Sequence, residues 1–360
     1  GVATFNIGVG GLASNTYSLT YSFINDSNVT SASQSGVHVT AGDVSKLVLT
    51  RQPSTTASGI QNKTGETLKV QPTLEFRDNY DNVVSVNYQV DAVISGSPDV
   101  TKNFLINPNK AAVNGVVTFT DLIFHGTPQV NYSLNFSGSS LIGVTSANFT
   151  VTHAGLNKLV WRTQPVGAQT GENLATQPVL ELQDFENNIT TADSSTVVRV
   201  TVSGAGGSVT GSTTATAVNG IVTFAGLKLI GTPGVDYTLR VSTTTGTQIQ
   251  SEASHAVRVT HARPAQLSIQ LPVISSHFIS GTAPAEQPKL FVLDSYGNKA
   301  TTDNSTVVTA FIATGVSGTV TGRTTATAVN GEVQFDGLQI AGTPGTAYTL
   351  GFSAATSDSR

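Results

Sequence analysis

The chain has 360 residues, of which 11% are charged, and a formal net charge of -4 at pH 7. So small a charge offers no basic footprint for nucleic acid, and no run of like charge marks an acidic or basic tail. The lack of cysteine excludes disulfides and thiolate metal sites, and no apolar run approaches the roughly 18 residues that a membrane-spanning helix needs.

Internal repetition organises the chain. The segment 213–241 recurs at 324–352, a looser copy occupies 110–136, and residues 1–21 repeat the second half of the same unit. The copies recur about every 110 residues, which suits one immunoglobulin-like sandwich and exceeds the roughly 20 to 50 residues of a solenoid repeat. We therefore predict an all-β chain of tandem immunoglobulin-like β-sandwich domains, each with about seven antiparallel strands, arranged as beads in a semi-rigid rod.

The period divides the chain into one incomplete and three longer segments. The leading partial repeat corresponds to the C-terminal part of a domain, and the third repeat lacks its last strand. The connecting segments are about five residues long, and linkers that short restrict how far neighbouring domains can swing. The predicted bounds are 1–40 for the leading partial repeat, 41–152 for the first repeat, 153–260 for the second repeat and 261–360 for the third repeat.

Two strands with alternating apolar residues open each repeat. In the second repeat, Leu159 and Trp161 point inward from strand A, and Leu180 and Leu182 do so from strand B. Each strand B then leads through a turn of the form Asp-x-x-x-Asn into a run of β-branched residues. The corresponding inward positions are Leu47, Leu49, Leu74 and Phe76 in the first repeat and Leu267, Ile269, Leu290 and Val292 in the third repeat.

An Asn-Gly pair later in each repeat predicts a tight hairpin. Both central residues of a type I′ turn need a positive φ, which asparagine and glycine adopt at low cost. Beyond it, the alternation breaks between Phe224 and Leu227, which predicts a bulge or bend. The structural glycines of these turns are Gly115, Gly220 and Gly331.

One tyrosine per copy follows a turn that in the three repeats reads Gly-Thr-Pro. The position is similar to the tyrosine corner of immunoglobulin-like sandwiches, in which the hydroxyl bonds to upstream backbone while the ring packs. We expect a structural role for these residues, which are Tyr17, Tyr132, Tyr237 and Tyr348.

The motifs taken together resemble a known family. They are KLVxxxQP at 46–53 and 158–165, a strand B ending in Asp, and then AVNGxVxF and GTPxxxYxL. They resemble the bacterial immunoglobulin-like repeats of large cell-surface, S-layer-like and adhesin-stalk proteins, and more distantly those of invasins and intimins. The resemblance covers the whole chain and implies the fold rather than a ligand, since such repeats serve as spacers, lattice builders or binding modules. Strand A of the third repeat, around Gln266, matches only loosely.

The aspartates that end strand B are candidate calcium ligands, because this ion prefers clustered oxygen atoms. They are Asp78, Asp184 and Asp294. A second acidic residue does not recur in all three turns, since the corresponding position holds Asp81, Glu186 and Gly297. The favoured interpretation is therefore an aspartate that caps its own turn, and no cofactor is expected. The histidines show no metal-site spacing, His125 is isolated in sequence, and no catalytic motif is present, so we do not expect an enzyme.

One pair of residues breaks the pattern of strand B. Its outward positions are mostly polar in the first and second repeats but include Phe291 and Leu293 in the third repeat. Two large apolar side chains facing water indicate a candidate interface. The alternative is that a loop or a neighbouring domain covers them.

The sequence therefore predicts an extracellular or cell-surface structural segment. Its repeats would build a fibre, sheath, S-layer or stalk by stacking and lateral packing with copies of itself or with neighbouring repeats. The alternative is an adhesin or receptor segment that binds surface glycans or protein through loops at the ends of the sandwiches. An accessory region of a secreted enzyme is a weaker third hypothesis.

Overall fold

The structure is a computed structural model that describes residues 2–24, 29–53, 61–96, 102–138, 140–270, 279–314 and 317–355. Within these ranges the chain is built of strands and connecting turns, which confirms the predicted all-β class. No helix among the described residues is long and apolar enough to cross a membrane. The chain forms two compact units, Gly1–Leu156 with Asp184–Thr190, and Asn157–Gln183 with Thr191–Arg360. The predicted repeat boundaries stay a prediction.

The strands of the first compact unit come from the leading partial repeat and the first repeat. The leading partial repeat contributes β1 (Thr16–Tyr21) and β2 (Ala32–His38), which pair antiparallel. The first repeat contributes β3 (Lys46–Arg51), β4 (Asn62–Lys63), β5 (Glu66–Thr67), β6 (Thr73–Arg77), β7 (Gln89–Ser95), β8 (Phe104–Ile106), β9 (Asn109–Ala111), β10 (Val116–Thr118), β11 (Ile123–His125), β12 (Ser133–Ser137), β13 (Val144–Thr145) and β14 (Val151–Thr152).

The strands of the second compact unit come from the second and third repeats. The second repeat contributes β15 (Lys158–Thr163), β16 (Val179–Gln183), β17 (Val197–Ser203), β18 (Ser208–Gly211), β19 (Thr214–Thr216), β20 (Ile221–Thr223), β21 (Leu227–Ile230) and β22 (Thr238–Thr243). The third repeat contributes β23 (Pro264–Ile269), β24 (Lys289–Asp294), β25 (Val307–Thr314), β26 (Thr319–Gly322), β27 (Thr325–Thr327), β28 (Glu332–Gln334), β29 (Leu338–Ala341) and β30 (Thr349–Ala355).

Each repeat uses the same two main sheets. Strands A and B pair with the strand after the Asn-Gly turn, in the orders β3-β6-β10, β15-β16-β20 and β23-β24-β28. The opposite sheet has the orders β9-β7-β12, β19-β17-β22 and β27-β25-β30, and β13 extends it in the first repeat. Antiparallel pairing with apolar faces turned toward each other makes each repeat an immunoglobulin-like sandwich.

The core lies between these two sheets. In the first repeat, Leu74 and Phe76 of β6 form one buried cluster with Val90 of β7 and Leu134 and Phe136 of β12, and all five have no exposed surface. Their alternation in sequence places every second side chain on the inner face. The equivalent residues Leu180, Leu182, Val198, Leu239 and Val241 of the second repeat are also fully buried.

The third repeat corrects one sequence prediction. The alternation in sequence predicts that Ile269 points inward, but 60% of it is exposed. The equivalent Leu49 packs on the core of the first repeat, as does Val144 of β13. In the third repeat the described chain ends at Ala355 without a strand corresponding to β13, so no such cover lies over Ile269 in the described part.

A glutamine that the sequence analysis did not single out braces each sandwich. Gln177 lies before strand B; its amide nitrogen donates to Leu174 O and Leu227 O, and its Oε1 accepts from Leu227 N–H at 2.9 Å. The side chain thus satisfies backbone groups where the alternation breaks after Phe224. Gln71 and Gln287 make the same three contacts in the first and third repeats.

The Asn-Gly turns have the expected backbone. In the third repeat Asn330 and Gly331 have φ of 52° and 72°, and the flanking Val329 and Glu332 exchange two hydrogen bonds of 2.8 and 3.0 Å. The turn is also held from outside, because Gly331 O accepts from Val292 N–H at 2.9 Å. A Cβ at Gly331 would lie 2.5 Å from Ala300 O, so glycine is needed for close approach as well as for φ.

Replacement of Gly331 by alanine should destabilise the third repeat by about 3 kcal/mol, from the left-handed φ together with displacement of the Ala300 carbonyl. Gly345→Ala is the matched control, because Gly345 has φ of 79° but no atom within 4 Å of its Cβ position. We expect a cost of about 1 kcal/mol for the control. Urea unfolding measures both, and equal costs would contradict the close approach.

Candidate functional site

The aspartate that ends strand B uses both carboxylate oxygens in the same way in every repeat. Asp78 Oδ1 accepts from the N–H groups of Tyr80 and Asn82, at 2.8 and 2.9 Å. Its Oδ2 accepts from Gly42 N–H at 2.9 Å and from the Asn82 side-chain amide at 3.0 Å. Gly42 lies in the segment before strand A, so the carboxylate joins that segment to the turn. We call 78–82, 184–188 and 294–298 the junction turns.

The other two aspartates repeat this geometry. Asp184 accepts from the N–H groups of Glu186, Asn188 and Ala154 and from the Asn188 amide, at 2.9 to 3.1 Å. Asp294 accepts from Tyr296, Asn298 and Ala262 and from the Asn298 amide, at 2.8 to 3.1 Å.

These contacts bear on the calcium hypothesis. A carboxylate has about four lone-pair positions, and in each junction turn four N–H groups occupy them. A cation would compete with those donors, so the geometry favours turn capping. Burial raises the pKa of Asp78, but hydrogen bonds from Asn82, Gly42 and Tyr80 outweigh it and lower the pKa to about 2. Among the described residues, no three His, Asp or Glu side chains gather as a metal would require.

The geometry corrects the alignment of the second acid. Glu186 donates its N–H to the aspartate from the same place as Tyr80 and Tyr296 do. The residue with positive φ comes one position later, at Asp81, Asn187 and Gly297. Glu186 is therefore equivalent to Tyr80 and Tyr296, not to Asp81.

The outer side of each junction turn faces the preceding repeat. Within the first compact unit, Asn82 reaches the leading partial repeat, where its amide donates to Gly11 O at 2.9 Å and its Oδ1 accepts from Ala13 N–H at 2.6 Å. The ring of Tyr80 lies against Gly10, where a Cβ would clash with it. A small residue at position 10 therefore makes room for a large one in the turn.

The junction turn at 184–188 meets the first repeat through a polar cluster in which Thr64 and His125 are buried and Glu186 is half-buried. Glu186 Oε1 pairs with His125 Nδ1, and Glu186 Oε2 accepts from the Thr64 hydroxyl. Thr64 Oγ1 in turn accepts from Gly126 N–H at 3.0 Å. Phe185 fills the space beside Gly65, where a Cβ would clash with its ring. All of these residues belong to the first compact unit.

The corresponding contact in the second compact unit is uncharged. The Tyr296 hydroxyl lies against Gly171, which has φ of 78° and is equivalent to Gly65. Thr170, equivalent to Thr64, donates to Gly231 O and accepts from Gly231 N–H, at 3.0 and 2.9 Å. Ile230 occupies the sequence position of His125, directly before the glycine of Gly-Thr-Pro.

Each corner tyrosine supports the loop beside this contact. The hydroxyl accepts from a backbone N–H five residues upstream, at 2.7 to 2.9 Å. Tyr132 also donates to Asn103 Oδ1 at 2.8 Å. The acceptor and donor pairs are Tyr17 with Leu12, Tyr132 with Thr127, Tyr237 with Thr232 and Tyr348 with Thr343.

Phe291 and Leu293 lie on the outward face of β24, and both are half-buried. Lys289 and Lys299 place their ammonium groups over the Phe291 ring, at 5.9 and 4.6 Å from its centroid. Both lysines pair with Glu332, and their hydrogen bonds lower the pKa of that carboxyl to about 2. Side chains of the third repeat itself therefore cover part of the ring, and the interface hypothesis stays a prediction.

The cluster of His125, Glu186 and Thr64 is not predicted from the sequence. His125 is isolated in sequence, and the alignment predicted for Glu186 is one position out of register. The sequence does hold a sign of this cluster in the residues that vary between copies. Only one junction turn carries an acid at its third position, and only one copy carries a histidine before Gly-Thr-Pro.

Several solved structures have a similar fold. The Escherichia coli adhesin FdeC is 16% identical with a TM-score of 0.36, over 84% of this chain and 91% of that one. Invasin, a bacterial integrin-binding protein, is 11% identical with a TM-score of 0.31, over 85% and 56%. The surface layer protein SbsC, domains 4–9, is 16% identical with a TM-score of 0.24, over 87% and 47%. The chain therefore spans about half the length of these last two. No family model and no curated protein matches the chain.

The Asp78 carboxylate should make the fold sensitive to acid. Its pKa in the folded state is about 2, below the ordinary value of 3.8. Its stabilising contribution is therefore complete above about pH 4 and is lost as the pH falls toward 2. We expect the melting temperature of the unaltered chain to fall more steeply between pH 4 and 2 than that of Asp78→Asn, which takes up no proton there. Asp43→Asn, at an exposed aspartate, should keep the steep slope, and equal slopes for all three proteins would refute this role.

Proposed function

We propose that this chain is a segment of an extracellular structural protein whose repeats stack end to end and pack laterally into a surface fibre, sheath, S-layer or stalk. The observation that carries the proposal is the junction turn. In each of three copies it binds the segment that precedes its own strand A and turns its outer side to the preceding repeat. A chain whose linkers are held in this way keeps a constant spacing between its repeats and transmits force along its length.

The aspartate is what converts a short linker into a braced one. A linker of a few residues still has freedom about its φ and ψ angles. Hydrogen bonds from Gly42, Ala154 and Ala262 to the three carboxylates remove part of that freedom beside strand A. Such bracing suits a spacer or a lattice component, and we propose no catalytic role.

The surface supports lateral packing with further copies of the chain. The valine before each Asn-Gly pair is exposed by 62 to 69% in all three repeats, at Val113, Val218 and Val329. With 11% charged residues overall, such faces approach one another at small electrostatic and desolvation cost. A side chain repeated at the domain period would meet its counterpart along a neighbouring chain.

Electron microscopy of the purified chain tests the proposal. We expect ordered filaments or sheets as the concentration rises, because each added neighbour buries the same apolar positions again. Val113→Ser, Val218→Ser and Val329→Ser together should reduce this assembly while the melting temperature changes little. Dispersed particles at every concentration, together with a specific hit on a glycan array, would favour the adhesin alternative instead.

Phe291 and Leu293 are tested in the same experiment. If they form a contact between chains, Phe291→Ser with Leu293→Ser should weaken assembly and leave the unfolding of the third repeat nearly unchanged. Intact assembly with a lower melting temperature would show that they serve only the stability of their own domain.

A further inference from the structure

We propose that the end surface of the first repeat, formed by Thr64, Gly65, Phe104, His125 and Gly126, is a receptor specific for an acidic junction turn. The inference rests on the stacking function proposed above and deepens it. The residue before Gly-Thr-Pro and the third residue of the facing turn form a matched pair, and this pair determines which junction turn the end surface accepts.

The carboxylate of Glu186 is recognised at both oxygens. One oxygen meets His125 Nδ1 and the other accepts from the Thr64 hydroxyl. Thr64 has no exposed surface and His125 is 8% exposed, so water does not replace a lost partner easily. An apolar side chain in place of Glu186 would leave a buried imidazole nitrogen and a buried hydroxyl without their partner, which is costly in a protein interior.

Two aromatic contacts give the receptor its shape. The Phe104 ring stacks on the His125 imidazole, with centroids 4.1 Å apart and planes 10° apart. That stacking holds the imidazole in the orientation that faces Glu186. On the other side, Phe185 occupies the space that Gly65 leaves open. The receptor therefore contacts two adjacent residues of the turn, an aromatic residue followed by an acidic one.

The other junctions use different pairs. Gly10 stands in the place of His125 opposite Tyr80, and Ile230 stands there in the second repeat, whose neighbouring turn carries Tyr296. A glutamate facing Gly10 or Ile230 would have no histidine to pair with its carboxylate. A tyrosine facing His125 would supply no carboxylate. The pair of His125 and Glu186 is therefore not interchangeable with the two junctions whose turns carry a tyrosine.

The test exchanges one junction for another in the full chain. Glu186→Ala and Glu186→Tyr each break the matched pair. The transplant variant combines His125→Ile, Phe185→Ser and Glu186→Tyr. It introduces the residues that occupy the equivalent positions in the junction between the second and third repeats. Glu172→Gln, at an exposed glutamate of the second repeat, is the control. Hydrogen–deuterium exchange of 61–66 and 123–128 measures the contact, and exchange of β6 shows whether the first repeat stays folded.

We expect about tenfold faster exchange of 61–66 and 123–128 in both Glu186 variants, equivalent to about 1.4 kcal/mol, with β6 unchanged. The transplant variant should return to within about threefold of the unaltered chain, or about 0.7 kcal/mol. Unchanged exchange of these segments in Glu186→Ala would overturn the inference. Exchange in the transplant variant as fast as in the single Glu186 variants would also overturn it. Assembly seen by electron microscopy is a separate measurement, so the stacking proposal and the pairing proposal can fail independently.

Discussion

A carboxylate with all of its acceptor positions filled by N–H groups is the interaction on which the rest of this molecule depends. Asp78, Asp184 and Asp294 each hold the end of strand B, a five-residue turn and the segment before strand A in one arrangement. Removing the carboxylate would leave four buried or part-buried N–H donors without their acceptor at once. The rigidity of the turn allows its outer residues to act as a contact surface.

The residues of each repeat have one of two structural roles. Residues that recur, such as the corner tyrosines, the Asn-Gly turns and the glutamine before strand B, serve the individual sandwich. Some of the residues that differ from copy to copy face the neighbouring repeat, as Glu186 and His125 do in one junction and Tyr296 does in another. Repetition therefore marks what every domain needs, and variation marks how one domain differs from the next. This division explains why the best-repeated stretch of the sequence carries no site of its own.

Much of the fold could be predicted because its determinants are local. A positive φ at Asn330 and Gly331, the alternation of Leu180 and Leu182, and the tyrosine after Gly-Thr-Pro each act within a few residues. The cluster at 125 and 186 could not be found in this way, since it joins distant residues and occurs once. Ile269 was misassigned for a related reason, because its burial depends on a distant strand that the described part of the third repeat lacks. The brace made by Gln71, Gln177 and Gln287 recurs, but its amide bonds backbone about 50 residues away, which no local pattern indicates.

The central proposal is that the junction turn at 294–298 holds the second and third repeats in one arrangement within the second compact unit. The lack of cysteine allows spin labels to be placed cleanly at two introduced cysteines, at the exposed and equivalent positions Arg199 and Thr309. Pulsed electron–electron double resonance then measures the distribution of distances between the second and third repeats. The account predicts a single narrow distribution that broadens when Asp294 is replaced by alanine. A broad distribution in the unaltered junction, or no change on replacing Asp294, would contradict it.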